Sequence, residues 1–470
     1  MKKTCIIILF YFLISGSIAQ NAKDSVMSFS LSQALEYTMQ NSPVIKNANL
    51  DLEIAKKKIW ETTTIGLPQV NSTLSYSYMI TLSPTIEQFN SFGENFGQIY
   101  GMLGSLAYNT GNIPVLTKLD SISKANASSE TVTENDMKWG LTYDITVSEI
   151  IFNGAYLVGL QTAKIYKEFS EISITKSNID AVEEVSNAYY LVLIAQENKN
   201  ILDTIYSNTE KLYTYIKSMN AEGLVEETDV DQMQLTLSTI KNTRDMITRQ
   251  LEVVKNLLKY QMGIELSKTI VLTDNLNSLL ETSDLAGLTL KDFKVENNVN
   301  YKLMETQEKL SGLNLKLQKS ALLPDVVAFY SHQENFNDKS FSFTPPNLVG
   351  VSMNIPIFGS GMKIAKIQQA KIGLEKVRNL KQQVSLGLQT TFINAKSKYT
   401  TALNTYITKK QNVILAEKIY NKSLVKYQEG IIGSMELTVS QNQYLQAQSE
   451  YYTSIIELTT AKSELEKLLK

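Results

Sequence analysis

The chain has 470 residues, of which 43 % are hydrophobic and 20 % are charged. Its 45 basic and 47 acidic residues give a formal net charge of −2, so the composition does not favour nucleic acid as a partner. After residue 19 the longest wholly apolar or aromatic run extends from Ala188 to Ala195, which is too short for a membrane-spanning helix of about 20 residues.

The N-terminal segment has the pattern of a secretory signal peptide. Lys2 and Lys3 precede an apolar run through Ile14, and Ser17-Ile18-Ala19 is a suitable cleavage site. We predict a signal peptide over 1–19. The only cysteine, Cys5, lies inside it, so the mature protein would have no disulfide, no catalytic thiol and no acylated N-terminal cysteine.

Several landmarks occur twice, in the same order and at nearly the same spacing. They are Leu67-Pro68 and Leu323-Pro324, Ile151-Phe152 and Ile357-Phe358, and Gly223 and Gly430. Such self-similarity indicates one structure built from two copies of a unit. We predict a first repeat over 20–264, a connector over 265–295 and a second repeat over 296–470, together forming one intertwined domain.

The first repeat is predicted to begin with a helix over 31–64 that breaks or bends near Pro43. A long helix follows the first Ile-Phe pair and ends at Gly223, which is expected to be the left-handed residue of a C-terminal cap. Acidic residues at 226–229 then begin a return helix that extends to about Gly263. The first repeat is therefore expected to contain a long helical hairpin with a glycine tip.

The second repeat is predicted to follow the same plan. A helix covers about 297–322, a second long helix ends at Gly430, and Ser434 with Glu436 begins its return helix. Apolar residues of the first long helix recur at three- and four-residue steps, which is typical of coiled-coil packing.

Strand-like sequence lies between each Leu-Pro step and the next Ile-Phe pair. Apolar and polar residues alternate at 70–80, 139–148 and 349–357, and less regularly at 326–332. This period-two pattern is typical of a membrane strand with lipid on one face and water on the other, although an edge strand of a soluble sheet is the alternative. We predict β-hairpins over 70–152 and 325–358, the first with a longer loop that would lie outside the cell.

Four strands cannot close a barrel, because the smallest membrane barrels have about eight, and an open edge in lipid leaves backbone groups unpaired. Copies of the chain must therefore combine their strands, and three copies would give about twelve. The predicted fold class is mainly α with a membrane β-barrel portion. Long antiparallel coiled-coil helices form a periplasmic α-barrel, and four strands per chain complete a twelve-stranded trimeric outer-membrane β-barrel.

The segment Leu31-Ser32-Gln33-Ala34-Leu35, the Asn41-Ser42-Pro43 step, the paired landmarks and the tip Gly223-Leu224-Val225 resemble the TolC family of outer-membrane efflux proteins. The resemblance extends over about 29–469. It implies a homotrimer in the outer membrane of a Gram-negative bacterium, extending into the periplasm and docking to a periplasmic adaptor protein that joins it to an inner-membrane pump of the RND or ABC type. The implied function is the exit duct of a tripartite efflux or type I secretion system, in the non-lipidated branch.

The resemblance also implies the position of a periplasmic aperture. The family closes this end with acidic residues just beyond the tip glycines, where this chain has Asp229 and Glu436, with Asp231 nearby. Three-fold repetition would make a carboxylate ring that favours cations. Val439 departs from the family pattern at a second carboxylate position. The alternative is that these acids only stabilise helix N-termini.

Apolar residues follow both tip glycines. Gly223 is followed by Leu224 and Val225, and Gly430 by Ile431 and Ile432. At tips that otherwise face water, these residues are predicted to contact the helical tip of the adaptor. The alternative is local packing, because Schellman caps often place a hydrophobic residue after the glycine.

No nucleophile and base occur at a recognisable spacing, so the sequence predicts neither an enzyme nor a cofactor. His332 is the only histidine and has no cysteine or second histidine for a metal site, so packing in the sheet is the expected role. The competing function is a soluble periplasmic coiled-coil adaptor or structural protein without a barrel. It would have one hairpin beside a small soluble β domain rather than two similar repeats.

Overall fold

The computed structural model describes residues 26–81, 138–282, 287–337 and 345–470, with short pieces between 98 and 119. The predicted signal peptide over 1–19 and most of the predicted long loop lie outside these residues. In chain order the main elements are β1 (Met27–Phe29), α1 (Leu31–Asn41), α2 (Pro43–Thr64), β2 (Gln69–Tyr78), β3 (Trp139–Phe152), α3 (Gly154–Ala221), α4 (Glu227–Met262), β4 (Ile270–Leu272), α5 (Leu276–Thr282), α6 (Val299–Ser320), β5 (Asp325–Asn335), β6 (Asn347–Asn354), α7 (Met362–Gln428) and α8 (Ser434–Leu468).

The chain forms two compact units. Unit 1 contains Met1–Ile54, Lys167–Glu308 and Lys376–Lys470, and unit 2 contains Ala55–Tyr166 and Lys309–Glu375. Each unit therefore takes residues from both predicted repeats. The repeat boundaries themselves stay a prediction.

Unit 2 contains a four-stranded antiparallel sheet in the order β2-β3-β5-β6. The four predicted strands are confirmed, with small changes at their ends. The last one ends at Asn354, so Ile355 to Phe358 lie beyond it, and β3 has a bulge between Ile150 and Phe152. β2 and β6 are the edges of the sheet.

The two faces of the sheet differ in polarity. The register places Tyr76 beside Leu141, Leu74 beside Tyr143, Val70 beside Val147, Val147 beside Tyr330 and Tyr330 beside Val349 on one face. The opposite face carries mainly Ser, Thr, Asn and Gly, for example Ser75 beside Thr142. Tyr76, Tyr78, Trp139 and Tyr143 cluster at one end of the apolar face, as aromatic residues do at a membrane surface.

The core of unit 1 lies where the middle of α3 meets α4, α7 and α8. Val185, Tyr189 and Val192 of α3 pack there against Leu258 of α4 and Leu458 of α8, and all five are buried. The spacing of the α3 residues follows the helical period, so one face of the helix is apolar and packs inward.

The predicted connector over 265–295 is more structured than the sequence suggested. β4 pairs in parallel with β1, Met27 lying beside Ile270 and Phe29 beside Leu272. Leu276 and Leu280 of α5 join the core of unit 1. Three-residue strands paired across the chain have no local alternation, which is why the sequence pattern missed them.

The break near Pro43 is confirmed. α1 ends at Asn41, and α2 begins at Pro43, where a missing backbone N–H costs nothing because the first turn of a helix leaves this group unpaired. Among the described residues, no helix is both long and apolar enough to cross a bilayer.

Candidate functional site at the hairpin tips

Both long helices end in the cap that the sequence predicts. Gly223 has a φ of 73°, its N–H donates to the Asn220 carbonyl at 2.9 Å, and the Leu224 N–H donates to the Met219 carbonyl at 2.9 Å. Gly430 has a φ of 72° and the same two bonds. This is the Schellman pattern. No atom lies within 4 Å of a Cβ built at either glycine, so the backbone conformation, and not crowding, requires glycine here.

Asp229 connects the two hairpins. It lies in the first turn of α4, and its Oδ1 accepts a short hydrogen bond from the hydroxyl of Ser434, the buried first residue of α8. The sequence pattern predicts Asp229 as a site residue, whereas it predicts Ser434 only as the start of a helix. Burial, aided by the charge of Asp229, raises the pKa of the nearby Tyr427 hydroxyl.

The other predicted aperture residues are in a different environment. Asp231 and Glu436 are exposed on α4 and α8, and neither has a hydrogen bond or ion pair with another described residue. Of the three acids, Asp229 alone is held by the opposite hairpin, while the other two present free carboxylates.

The four predicted apolar tip residues divide into two pairs. Leu224 is 68 % exposed and Ile431 is 69 % exposed. Val225 and Ile432 are half-buried, and Val225 packs against the tip core described below. Val225 therefore contributes to local packing, which is the alternative to an adaptor contact, and the adaptor contact itself stays a prediction.

A small core lies beneath the tips. It joins Ile216 of α3, Met233 and Ile240 of α4, and Leu437 and Tyr444 of α8, all of them buried. The Tyr444 ring stacks on the Tyr420 ring with centroids 5.7 Å apart. Burial raises the pKa of Tyr444 to about 12, so its hydroxyl stays neutral at physiological pH.

Polar contacts also cross this tip core. The Gln441 amide donates to the Thr209 hydroxyl at 2.9 Å, and both residues are buried. A buried hydrogen bond fixes the relative position of two helices, because separating them leaves both groups unpaired. Gln441 and Thr209 belong to different repeats, so no local sequence signal identifies them as partners.

No group of three or more His, Cys, Asp and Glu side chains suited to a metal ion occurs in the described part of the chain. His332 lies on β5, where its Nδ1 is 2.9 Å from Asn347 Oδ1, and the Tyr330 hydroxyl donates to the same oxygen at 2.8 Å. The glycine-capped hairpin tips and the four-stranded sheet are thus the candidate functional features of the described chain.

Comparison with known proteins agrees with this geometry. Residues 296–469 match the family model described as outer membrane efflux protein. The chain is similar in structure to VceC, an outer membrane protein from Vibrio cholerae, with a TM-score of 0.66 over 93 % of this chain and 95 % of that one, at 14 % identity. The chain has the fold of an outer-membrane channel protein.

Two further outer-membrane channel structures are similar. The CmeC outer membrane channel of Campylobacter jejuni has a TM-score of 0.67, covering 93 % of this chain and 85 % of that one at 14 % identity. The open MtrE outer membrane channel of Neisseria gonorrhoeae has a TM-score of 0.65, covering 93 % and 88 % at 12 % identity. No curated protein sequence matches the chain. The TolC-family resemblance is thus confirmed by the family model over the second repeat and by the shared fold.

Proposed function

We propose that this chain is the exit duct of a tripartite efflux or type I secretion system in the outer membrane of a Gram-negative bacterium. It would receive substrates from an inner-membrane pump of the RND or ABC type through a periplasmic adaptor. The observation that carries this proposal is the amphipathic sheet, whose two edges are unpaired among the described residues, in a chain with the fold of an outer-membrane channel protein.

The unpaired edges require more than one copy of the chain. β2 and β6 have no strand partner on their outer sides among the described residues. An open edge within lipid leaves each backbone group unsatisfied at a cost of several kcal/mol, so β2 of one copy would pair with β6 of the next. Three copies would close a barrel of about twelve strands, with the apolar face toward lipid and the polar face toward a water-filled lumen.

The tips would then form the periplasmic aperture. In a homotrimer, Asp229, Asp231 and Glu436 each occur three times and would concentrate negative charge at the opening, which favours cations. The bond from Ser434 to Asp229 ties one hairpin to the other, so separating the hairpins would break it.

The exposed apolar residues at the tips support an adaptor contact. Leu224 and Ile431 follow the two glycines and project from equivalent caps. An exposed apolar side chain at each tip would fit an apolar surface of a partner protein. Energy for transport would come from the pump, and the duct itself would need no catalytic residue.

Planar lipid bilayers test the proposal. The purified protein should produce stepwise conductance that favours cations, and the double variant Asp231→Asn/Glu436→Gln should reduce that preference. The control is Glu457→Gln, an exposed carboxylate on the same helix α8, which should leave selectivity unchanged. Folded protein that never conducts would contradict the duct.

A further inference from the structure

The helical segments of unit 2 are strongly basic. Residues 55–66, 154–166, 309–323 and 359–375 contain ten lysines and only two acidic residues, Glu61 and Glu375. The whole chain, in contrast, has nearly equal numbers of acidic and basic residues. A local surplus of one charge in a balanced chain indicates a surface that meets the opposite charge.

All four segments adjoin the same edge of the sheet. α2 leads into β2, α3 follows β3, α6 leads into β5, and α7 follows β6. The register confirms that these strand ends are neighbours, because Phe152 lies beside Val326 and Asp325 beside Asn354. We call this border, where the strand ends meet the helices, the helix edge of the sheet. It is distinct from the edge strands β2 and β6.

Six exposed lysines near the helix edge have no hydrogen bond or ion pair with any described residue, and we call them the lysine collar. They are Lys57, Lys164, Lys316, Lys319, Lys366 and Lys371. At a rise of about 1.5 Å per residue, each lies within about 15 Å of the helix end that adjoins the sheet. A lysine stem adds several ångströms of reach.

Exposed aromatic and aliphatic side chains also lie near the helix edge of the sheet. Trp60 is 62 % exposed on α2, one helical turn from Lys57. Ile357 is 92 % and Phe358 is 88 % exposed, between the end of β6 and the start of α7. Tryptophan and lysine together are typical of a membrane interface, where the ring lies at the headgroup level and the ammonium reaches phosphate.

The two tryptophans of the chain are at opposite ends of the sheet. Trp139 lies beside Tyr78, at the end of β2 farthest from the helix edge, and Trp60 precedes the start of β2. The apolar face of the sheet lies between them. This placement matches the two aromatic girdles that border the lipid-facing band of a membrane barrel.

We propose that the lysine collar binds the phosphate headgroups of anionic phospholipids in the membrane leaflet that surrounds the helix edge. This inference rests on the proposed position of the sheet in a bilayer, and it adds the lipid class that the duct selects. Lysines that have no partner among the described residues can pair with lipid phosphate without breaking an ion pair seen there. Their attraction to an anionic surface decays over about one Debye length.

Fluorescence quenching tests the inference with the full-length protein. The variant Trp139→Phe leaves Trp60 as the only tryptophan. It is reconstituted in vesicles of phosphatidylethanolamine that contain brominated phosphatidylglycerol or brominated phosphatidylcholine as the minor lipid. Quenching of Trp60 should be several-fold stronger with phosphatidylglycerol at low salt, and high salt should reduce the difference.

The matched variants change six lysines to glutamine in the Trp139→Phe background. Replacing the collar should abolish the preference for phosphatidylglycerol. Replacing six exposed lysines of unit 1 should retain it. Those six are Lys211, Lys241, Lys302, Lys418, Lys422 and Lys426. If the collar variant does not fold, the triple variant Lys57→Gln/Lys316→Gln/Lys319→Gln should lose part of the preference.

The outcomes separate this inference from the proposed function. Equal quenching of Trp60 by the two lipids, or none by either, would overturn the collar and direct attention to a lumen or protein contact. Trp139, measured alone in Trp60→Phe, should be quenched by both lipids whatever the collar does. An unquenched Trp139 would place the sheet outside the bilayer and overturn the proposed duct together with the collar.

Discussion

The hydroxyl of Ser434 bonds to a carboxylate 205 residues away, and this contact could not be read from the sequence. Asp229 was recognisable, because an acidic residue in the first turn after a glycine tip is a local pattern. Ser434 is recognisable only as a helix start, since its partner belongs to the other repeat. Residues identified by a local pattern could be predicted, and residues identified by a distant partner could not.

Removing this contact should loosen the tips. Ser434→Ala deletes the donor and leaves the Asp229 carboxylate without its bond from the other hairpin. We expect a higher open probability in planar bilayers. The control is Ser440→Ala, whose hydroxyl bonds only to a carbonyl of its own helix at 2.8 Å. Identical open probabilities for Ser434→Ala and the unaltered protein would show that the bond does not hold the aperture.

Tyr189 should stabilise the N-terminal strand. Its buried hydroxyl lies 3.0 Å from the Phe29 carbonyl and 3.0 Å from Asp274 Oδ2, which also accepts from the Leu31 N–H at 2.7 Å. Tyr189→Phe should lower the free energy of unfolding by about 1–2 kcal/mol, because a buried acceptor loses its donor. The measurement is hydrogen exchange at the Phe29 and Leu31 amides. The control is Tyr215→Phe at an exposed position, which should change the free energy of unfolding by less than about 0.5 kcal/mol.

The carboxylate of Glu308 should make the stability of the folded protein depend on pH in the acidic range. Hydrogen bonds from Lys381 at 2.5 Å and Arg378 at 3.0 Å hold its pKa below the usual 4.5. A depressed pKa stabilises the folded state above about pH 4.5, and this contribution is lost as the pH falls through the folded pKa. Thermal unfolding of Glu308→Gln should therefore depend less on pH below 4.5 than that of the unaltered protein.

The control for this dependence is Glu305→Gln, an exposed carboxylate on the same helix α6. It should retain the acid sensitivity of the unaltered protein. Equal pH profiles for Glu308→Gln and the unaltered protein would exclude a stabilising role for the ion pairs with Arg378 and Lys381.

At the scale of elements, long patterns were predictable and short ones were not. The four strands of the sheet and the long helices have many residues that repeat one period, so the pattern identifies them despite errors at their ends. β1 and β4 have three residues each, and their pairing depends on residues far apart in the chain. The glycine caps were predictable because a positive φ strongly favours one residue type.

Disulfide cross-linking tests the pairing of β2 with β6. The described residues contain no cysteine, so introduced cysteines have no competitor there. Single cysteines at Asn71, Thr73 or Ser75 of β2 are combined with Ser352 or Asn354 of β6, all on the polar face. Within one copy these edges are separated by β3 and β5, about 14 Å apart at the usual strand spacing, which is too far for a disulfide.

We therefore expect some double-cysteine variants to form covalent dimers and trimers on oxidation, visible by denaturing electrophoresis. Variants with one cysteine are the control and should not form trimers. If every double variant remains monomeric, the two strands do not meet between copies, and the barrel would need another closure.

For the protein as a whole, the sequence predicts that one chain cannot form a closed barrel by itself. Four strands cannot close a barrel, and an open sheet edge in lipid leaves backbone groups unpaired. In the described part of the chain the sheet has four strands with two unpaired edges, and similar structures are outer-membrane channels. Closure requires more than one copy, and the number three is the prediction that the family resemblance implies.

The barrel shared between copies is tested by the mass of the protein extracted from outer membranes in mild detergent. Light scattering with refractive-index correction gives the protein mass without the detergent. We predict about three chain masses in the outer-membrane fraction, as a shared barrel of about twelve strands requires. A monomer that is released without detergent would contradict the duct and favour a soluble periplasmic coiled-coil protein.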